Sequence, residues 1–336
     1  MKTAFFEVKE NWEKEEIKKY FPKAIIFEEK IQEVEISKIN SFDVISVFIY
    51  SKVDEKLLKQ LKKVKLIATR STGFDHIATN YCQKKDITVC TVPHYGENTV
   101  AEFTFGLLLA ISRKIIDSVN RVKTGSFDFS GLRGFDLAGK TVGVIGFGNI
   151  GQKFAKMCKG FEMEVLVYDA FADKLEEKAR EMGVQLVSLD KLYKTSDIIS
   201  LHIPSLPQTK HIICETSIKK MKEGVIILNT SRGDLIDSKA LMQGIFSKKV
   251  GFAGLDVLEG ESLLKIEENF LTKNNKSLED VELMLEDHIL ISNPRVYITP
   301  HNAFNTIDAL SRILHTTFEN ISEFEKGNKI NTLIRR

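Results

Sequence analysis

Residues Val142-Gly143-Val144-Ile145-Gly146-Phe147-Gly148-Asn149-Ile150-Gly151 form a short apolar run that ends in a G-x-G-x-x-G turn. A helical pattern follows, and then a second apolar run, Val165-Leu166-Val167-Tyr168, closed by an acid, Asp169. That order of strand, glycine turn, helix, strand and acid is the one a dinucleotide-binding βαβ unit requires. Gly146 permits the tight turn, Gly148 lets the backbone approach a pyrophosphate, and Gly151 lets the helix pack close to the strand. The helix N-terminus adds free N–H groups and a favourable dipole for phosphate.

Asp169 also discriminates between cofactors. A carboxylate at the strand end can accept hydrogen bonds from the adenosine ribose and repels a 2′-phosphate. No arginine follows it, because the next residues are Ala170, Phe171 and Ala172. The sequence therefore predicts NAD rather than NADP.

The glycine turn lies near the middle of the 336 residues, so a further domain precedes it. Strand-like runs at 3–8, 24–27, 44–49, 66–69 and 87–91 alternate with helical patterns at 12–20, 54–64 and 76–85. This reads as a separate parallel α/β layer. One long amphipathic run, 98–123, leads into the glycine-turn domain. Beyond that domain's first βαβ unit, strand candidates at 198–202, 225–229, 252–256 and 296–299 suffice for a doubly wound sheet of six or seven strands. The tail, 305–327, is one helical pattern with Leu310, Ile313, Leu314, Phe318, Ile321 and Phe324 on one side. It is expected to return to the first domain. The predicted division is thus a discontinuous domain of residues 1–98 and 302–336, and a nucleotide domain of residues 99–301, with the active site in a cleft between them. The polar segment 262–292 is long for a loop and is expected to contain a short helix around 278–285.

Lysines and arginines number 48 against 46 acids, with no long block of one sign, which argues against a nucleic-acid surface. The Lys-rich stretch 56–65 alternates with apolar residues as a solvated helix face does. Cys82, Cys90, Cys158 and Cys214 have no C-x-x-C spacing and read as reduced thiols of a cytoplasmic protein, most of them in the core. The first sixteen residues are charged and lack the apolar stretch of a signal peptide, and no apolar run reaches membrane-spanning length.

Three charged residues stand at or just past the ends of strand candidates, where open α/β sheets form their ligand crevice. Arg232 lies in Asn229-Thr230-Ser231-Arg232-Gly233, and a guanidinium fork can hold a carboxylate through two parallel hydrogen bonds. Glu261 follows Asp256-Val257-Leu258-Glu259-Gly260, and His301 follows Thr299-Pro300. A carboxylate beside an imidazole orients it, fixes its tautomer and raises its pKa. On position alone Glu259 and Asp256 compete with Glu261 for that role. Neither H-x-x-x-H nor H-E-x-x-H spacing occurs, so no metal is expected, and a G-x-S-x-G nucleophile elbow is also missing.

Taken together, the glycine turn, Arg232-Gly233, the Asp256-to-Glu261 block and Pro300-His301 resemble the D-isomer-specific 2-hydroxyacid dehydrogenase family over nearly the whole chain. Within it the D-lactate branch is the most similar. Arg70-Ser71-Thr72-Gly73-Phe74-Asp75 resembles a loop that cups the substrate carboxylate. Pro93-His94-Tyr95 resembles a segment that brings a tyrosine over the substrate, and Phe304 matches an aromatic that closes a small pocket.

The resemblance implies two Rossmann-like domains, one flavodoxin-like and one binding NAD. It implies Arg232 on the substrate carboxylate, His301 as acid/base and Glu261 as its holder, with Thr72, Gly73, Tyr95 and Phe304 around the substrate. Asn149 and Ile150 would contact the pyrophosphate, and Ile203, Pro204 and Thr209 would line the cofactor cleft. Thr230 and Ser231 would lie against the nicotinamide ribose, and Asp256 would tune the site nearby. The expected reaction is reduction of pyruvate to D-lactate by NADH. The alternatives are a larger 2-keto acid (phenylpyruvate, hydroxypyruvate or a branched one) or an NAD-sensing, corepressor-like binding role. Departures at Asn302, Leu258 and Gly96 bear on substrate preference. The resemblance also implies a homodimer that uses the 98–123 run.

Overall fold

The computed structural model describes residues 1–264 and 277–333. They divide into two compact units, residues 1–95 with 305–336, and residues 96–304.

The first unit carries five parallel strands, β1 (Thr3–Phe5), β2 (Ile25–Ile26), β3 (Val44–Val47), β4 (Leu66–Thr69) and β5 (Thr88–Cys90), in the order β2-β1-β3-β4-β5. This is the flavodoxin-like arrangement. The strands are short continuous apolar runs because both faces are covered. One face packs Ala4, Ile45, Ile67 and Val89 against Leu57, Leu58 and Leu61. The other packs Phe5, Leu66 and Ala68 against Leu314, Phe318 and Ile321 of the helix Ile307–Glu325. The C-terminal helix therefore belongs to the N-terminal sheet, as its single apolar stripe requires.

The second unit carries seven parallel strands, β6 (Thr141–Ile145), β7 (Glu164–Tyr168), β8 (Gln185–Leu186), β9 (Ile198–Leu201), β10 (Val225–Asn229), β11 (Val250–Leu255) and β12 (Val296–Ile298). Their order is β12-β11-β10-β9-β6-β7-β8, which is the doubly wound order with its switch point between β6 and β9. β8 is only two residues long and was not expected from the sequence.

The run expected as one helix over 98–123 is two, Glu97–Ser112 and Ile115–Lys123. The break falls at Lys114, which adopts a left-handed φ of 53°. The Lys114 ammonium lies 4.2 Å from the Phe252 ring centroid and 3.3 Å from the Asp117 carboxylate, which holds the kink. The two helices differ in role. The first buries Ala101, Phe105, Leu107, Leu108 and Ile111, whereas the second has no buried residue.

The helix expected around 278–285 runs over Leu278–Ser292, entered through a capping box in which Ser277 Oγ accepts from the Asp280 N–H. The remainder of that polar segment, 265–276, lies outside the described residues. All four cysteines are free, and Cys82, Cys90 and Cys158 are buried. No described helix is long and apolar enough to cross a membrane.

Candidate active site

At the switch point the three glycines have separate physical duties. Gly146 turns the chain with φ 98°, and a Cβ there would lie 2.4 Å from the His202 carbonyl oxygen at the end of β9. A Cβ on Gly151 would lie 2.0 Å from the Gly146 carbonyl oxygen, so the helix Asn149–Gly160 rests directly on the turn. Gly148 differs, because a Cβ there would meet nothing within 4 Å. The backbone at the helix start thus faces open room, as an anion-binding cradle must. The Asp169 carboxylate closes the turn by accepting from the Phe147 N–H at 2.8 Å and the Phe171 N–H at 2.9 Å. This set of residues fits a dinucleotide.

The other expected cofactor residues make the following contacts. Asn149 Nδ2 lies 3.5 Å from Glu97 Oε1, and Ile150 packs on the core beneath the helix. Ile203 packs beside Gly146, within 2.6 Å of where its Cβ would stand. Pro204 and Thr209 form a turn in which the Thr209 hydroxyl donates to the Pro204 carbonyl at 2.7 Å. Thr230 Oγ1 pairs with Thr104 Oγ1 at 2.7 Å, and the Ser231 hydroxyl donates to the Leu201 carbonyl at 2.7 Å. The hydroxyls of Thr230 and Ser231 therefore stabilise the strand ends.

The geometry separates the three acids that competed for the histidine. Glu261 reaches His301 Nδ1 with Oε2 at 3.2 Å and Oε1 at 3.3 Å. Glu259 turns to His211 Nε2 at 2.5 Å. Asp256 is 1 % exposed and accepts from the Thr299 hydroxyl at 2.5 Å and from the Asn302 and Ala303 N–H groups, each at 2.8 Å. Burial raises the Asp256 carboxyl, opposed by these hydrogen bonds. Its position makes it the anchor of the loop on which His301 adopts a left-handed φ of 54°.

The Phe304 ring stands edge-on to His301, with centroids 6.4 Å apart. Arg232 follows β10 in extended conformation, and its Nη1 donates to the Ser231 carbonyl at 2.8 Å. The Asn229 side-chain amide donates to the Arg232 carbonyl at 2.8 Å and accepts from the Ser231 N–H at 2.9 Å, which fixes the arginine's backbone. Arg232, Glu261 and His301 thus all stand beyond the C-terminal ends of neighbouring strands β10, β11 and β12.

In the first unit, Thr72 and Gly73 follow β4. The Thr72 hydroxyl donates to the Val92 carbonyl at 2.7 Å, and the Ser71 hydroxyl to the Gly73 carbonyl at 2.6 Å. The Tyr95 carbonyl accepts from Arg312 Nε at 2.8 Å.

Residues to which the sequence assigned no role of their own are also held in defined contacts. Arg70, 2 % exposed, donates to the Phe6 carbonyl at 2.7 Å and to Ser46 Oγ at 3.2 Å, and so ties the ends of β1, β3 and β4 together. His202 Nε2 lies 2.9 Å from Ser200 Oγ, its Nδ1 is buried without a partner, and burial lowers its pKa to about 3. Asp287 joins two loops from inside the 278–292 helix. The roles of these three side chains are not set by a local motif, since each is defined by what the fold packs around it. Among the described residues, no group of three or more His, Cys, Asp or Glu is placed to hold a metal.

A family model for the NAD-binding domain of D-isomer-specific 2-hydroxyacid dehydrogenases matches residues 105–303. The chain belongs to the D-isomer-specific 2-hydroxyacid dehydrogenase family. Its cofactor is NAD, and its family reaction is NAD-dependent interconversion of 2-keto and D-2-hydroxy acids. D-lactate dehydrogenase of Escherichia coli K12 is 37% identical over 290 residues, 86% of this chain and 85% of that one. An aromatic 2-oxoacid reductase of Clostridium sporogenes is 39% identical over 289 residues, 84% of this chain and 83% of that one. The crystal structure of D-lactate dehydrogenase from Aquifex aeolicus, complexed with NAD and lactic acid, superposes with a TM-score of 0.86 at 35% identity and covers 99% of both chains. The dehydrogenase described here shares with that structure its two parallel-sheet units.

Proposed function

We propose that this dehydrogenase reduces pyruvate to D-lactate, and that the Glu261–His301 contact is the observation that carries the chemistry. The cofactor supplies the redox chemistry: NADH would give the hydride to C2 of the keto acid, and NAD⁺ would accept it from C2 of the hydroxy acid. In the reductive direction His301 gives a proton to the keto oxygen, and in the oxidative direction it takes the proton back. The Glu261 carboxylate orients the imidazole through Nδ1. The Arg232 guanidinium pairs with the substrate carboxylate and polarises the adjacent carbonyl. Asp256 holds the His301 loop in register. Thr72, Gly73 and Tyr95 of residues 1–95, together with Phe304 of residues 96–304, contact the acid's carboxylate and side chain. The lactic acid named with the Aquifex structure favours a small substrate. The four free cysteines agree with a cytoplasmic enzyme.

The Clostridium relative supports a second reading, a larger aromatic 2-keto acid. NADH oxidation with pyruvate, phenylpyruvate and hydroxypyruvate side by side, with the product assayed for chirality, separates the two. Fastest turnover of pyruvate to D-lactate is expected. Preference for phenylpyruvate would keep the mechanism and change the substrate. NADH binding with no turnover of any acid would replace the enzyme by a sensor.

We also propose a homodimer. The helix Ile115–Lys123 exposes Ile115, Ile116, Val119 and Val122, and Phe127 and Phe129 beyond it are each 85% exposed. An apolar stripe of this kind is costly to leave in water and fits a second copy. Light scattering should give twice the chain mass, and Val119→Glu should give the monomer.

A further inference from the structure

The loop that carries Glu261 is gripped from both sides. Toward β9, Glu259 reaches His211 Nε2 at 2.5 Å and accepts from the Ser238 N–H at 3.4 Å. Toward the helix Leu278–Ser292, Asp287 Oδ2 accepts from the Gly260 N–H at 2.9 Å, while Oδ1 accepts from the Ser238 hydroxyl at 2.9 Å. Asp287 is fully buried. The contact is close enough that a Cβ on Gly260 would lie 2.6 Å from Asp287 Oδ2 and 3.1 Å from Leu283 Cγ. Gly260 is the residue directly before Glu261.

We infer that Asp287 is a positioning residue for the Glu261–His301 pair, and that the helix Leu278–Ser292 exists in part to deliver it. The inference rests on the acid/base reading of that pair. Glu261 meets His301 at 3.2 and 3.3 Å, distances at which a small backbone shift breaks the contact. A buried carboxylate carries a desolvation cost and is kept only where its bonds repay it. Here burial raises the Asp287 pKa to about 6, opposed by the Ser238 and Gly260 bonds. Glu259, Glu286 and His288 are titratable groups that interact with it. In its ionised form it accepts both hydrogen bonds. By fixing Gly260 it fixes the backbone from which Glu261 reaches across to His301, an indirect support of the kind that orients working side chains in many sites.

The test compares Asp287→Ala, Asp287→Asn and Glu261→Gln by the pH dependence of keto-acid reduction, with NADH and whichever of pyruvate or phenylpyruvate turns over faster. Asp287→Ala is expected to lose roughly five- to twenty-fold in kcat, with the KM for NADH within about two-fold of the parent. Its alkaline limb should move to lower pH by at least about half a unit, in the same direction as Glu261→Gln. Asp287→Asn should recover most of kcat, because an amide can accept from the Gly260 N–H and donate to Ser238 Oγ. On the Glu261→Gln background, Asp287→Ala should add less than about two-fold, since both changes act through one contact. An unmoved limb in a natively folded Asp287→Ala, or an Asp287→Asn no better than Ala, would overturn the inference. If Asp287→Ala does not fold, Gly260→Ala replaces it. The same limb shift is then expected, and a parental limb overturns. A Glu261→Gln enzyme with a parental limb would instead sink the acid/base reading itself.

Discussion

Two single-methyl changes in the glycine turn should have opposite consequences. In Gly148→Ala the new methyl meets no protein atom within 4 Å, and the residue's φ of −71° suits alanine. The apo-protein should keep its thermal midpoint within about 2 °C. The methyl would occupy the room where the backbone must approach the pyrophosphate, so NADH affinity should fall roughly 10- to 100-fold, or about 1.4–2.8 kcal/mol.

Gly151→Ala places its methyl 2.0 Å from the Gly146 carbonyl oxygen. That is a backbone overlap which no rotamer change can relieve. The helix Asn149–Gly160 must lift from β6, loosening Phe154, Ala155 and Cys158 from the core. The helical preference of alanine returns about 1 kcal/mol, against an overpacking cost at or above the usual range of about 1–3 kcal/mol. A net loss of about 2–3 kcal/mol in a unit of this size lowers the midpoint by roughly 4–12 °C. Differential scanning fluorimetry without cofactor and NADH fluorescence titration read the two effects separately. If Gly148→Ala bound NADH as the parent does, or if both variants lost the same thermal stability, the division of labour among the glycines would be refuted.

Glu261→Gln should move the alkaline limb of keto-acid reduction to lower pH while leaving NADH binding unchanged, and His301→Ala should lose most of kcat; stopped-flow or steady-state pH profiles decide. His202 titrates at about 3 in the folded protein against an ordinary value of 6.5, so the folded state binds fewer protons between those values. Its contribution is complete above pH 6.5 and is lost as pH falls, by about 2 kcal/mol between pH 6.5 and 5. Denaturant midpoints should show that slope in the parent and a flatter one in His202→Leu. Arg70→Met leaves the Phe6 carbonyl and Ser46 Oγ without their buried donor. It should cost about 3–5 kcal/mol in thermal or denaturant unfolding of the first unit. A change under 1 kcal/mol would show that water replaces the guanidinium.

The fold class was legible because it depends on local periodicity. Continuous apolar runs of four to six residues, separated by helical stripes, specify parallel strands covered on both faces, and the stripe on 307–325 had to find a sheet face to cover. Boundaries were less legible. The break at Lys114 depends on Phe252 and Asp117, of which the first is distant in sequence, and β8 has too few residues to register as a period.

The candidate site divides along the same line. The glycine turn, Asp169, Arg232 and His301 could be picked out as candidates from residue type and order, because their chemistry is carried by the side chains themselves. Residue order alone did not say which of Asp256, Glu259 and Glu261 faces His301, although the family resemblance pointed to Glu261. Three carboxylates within six residues of one loop are equivalent until the sheet sets the loop's path, and the path sends one to His211, one to the Thr299 hydroxyl and the Asn302 and Ala303 N–H groups, and one to the imidazole. The structural roles of Arg70, His202 and Asp287 lay beyond the sequence for the same reason. Their roles come from burial and from partners more than twenty residues away or enclosed by the fold, and the free energy of a buried polar group is set by its surroundings. The sequence alone determined which strands and which chemistry this protein has; the tertiary structure decided which carboxylate faces the histidine and what holds it there.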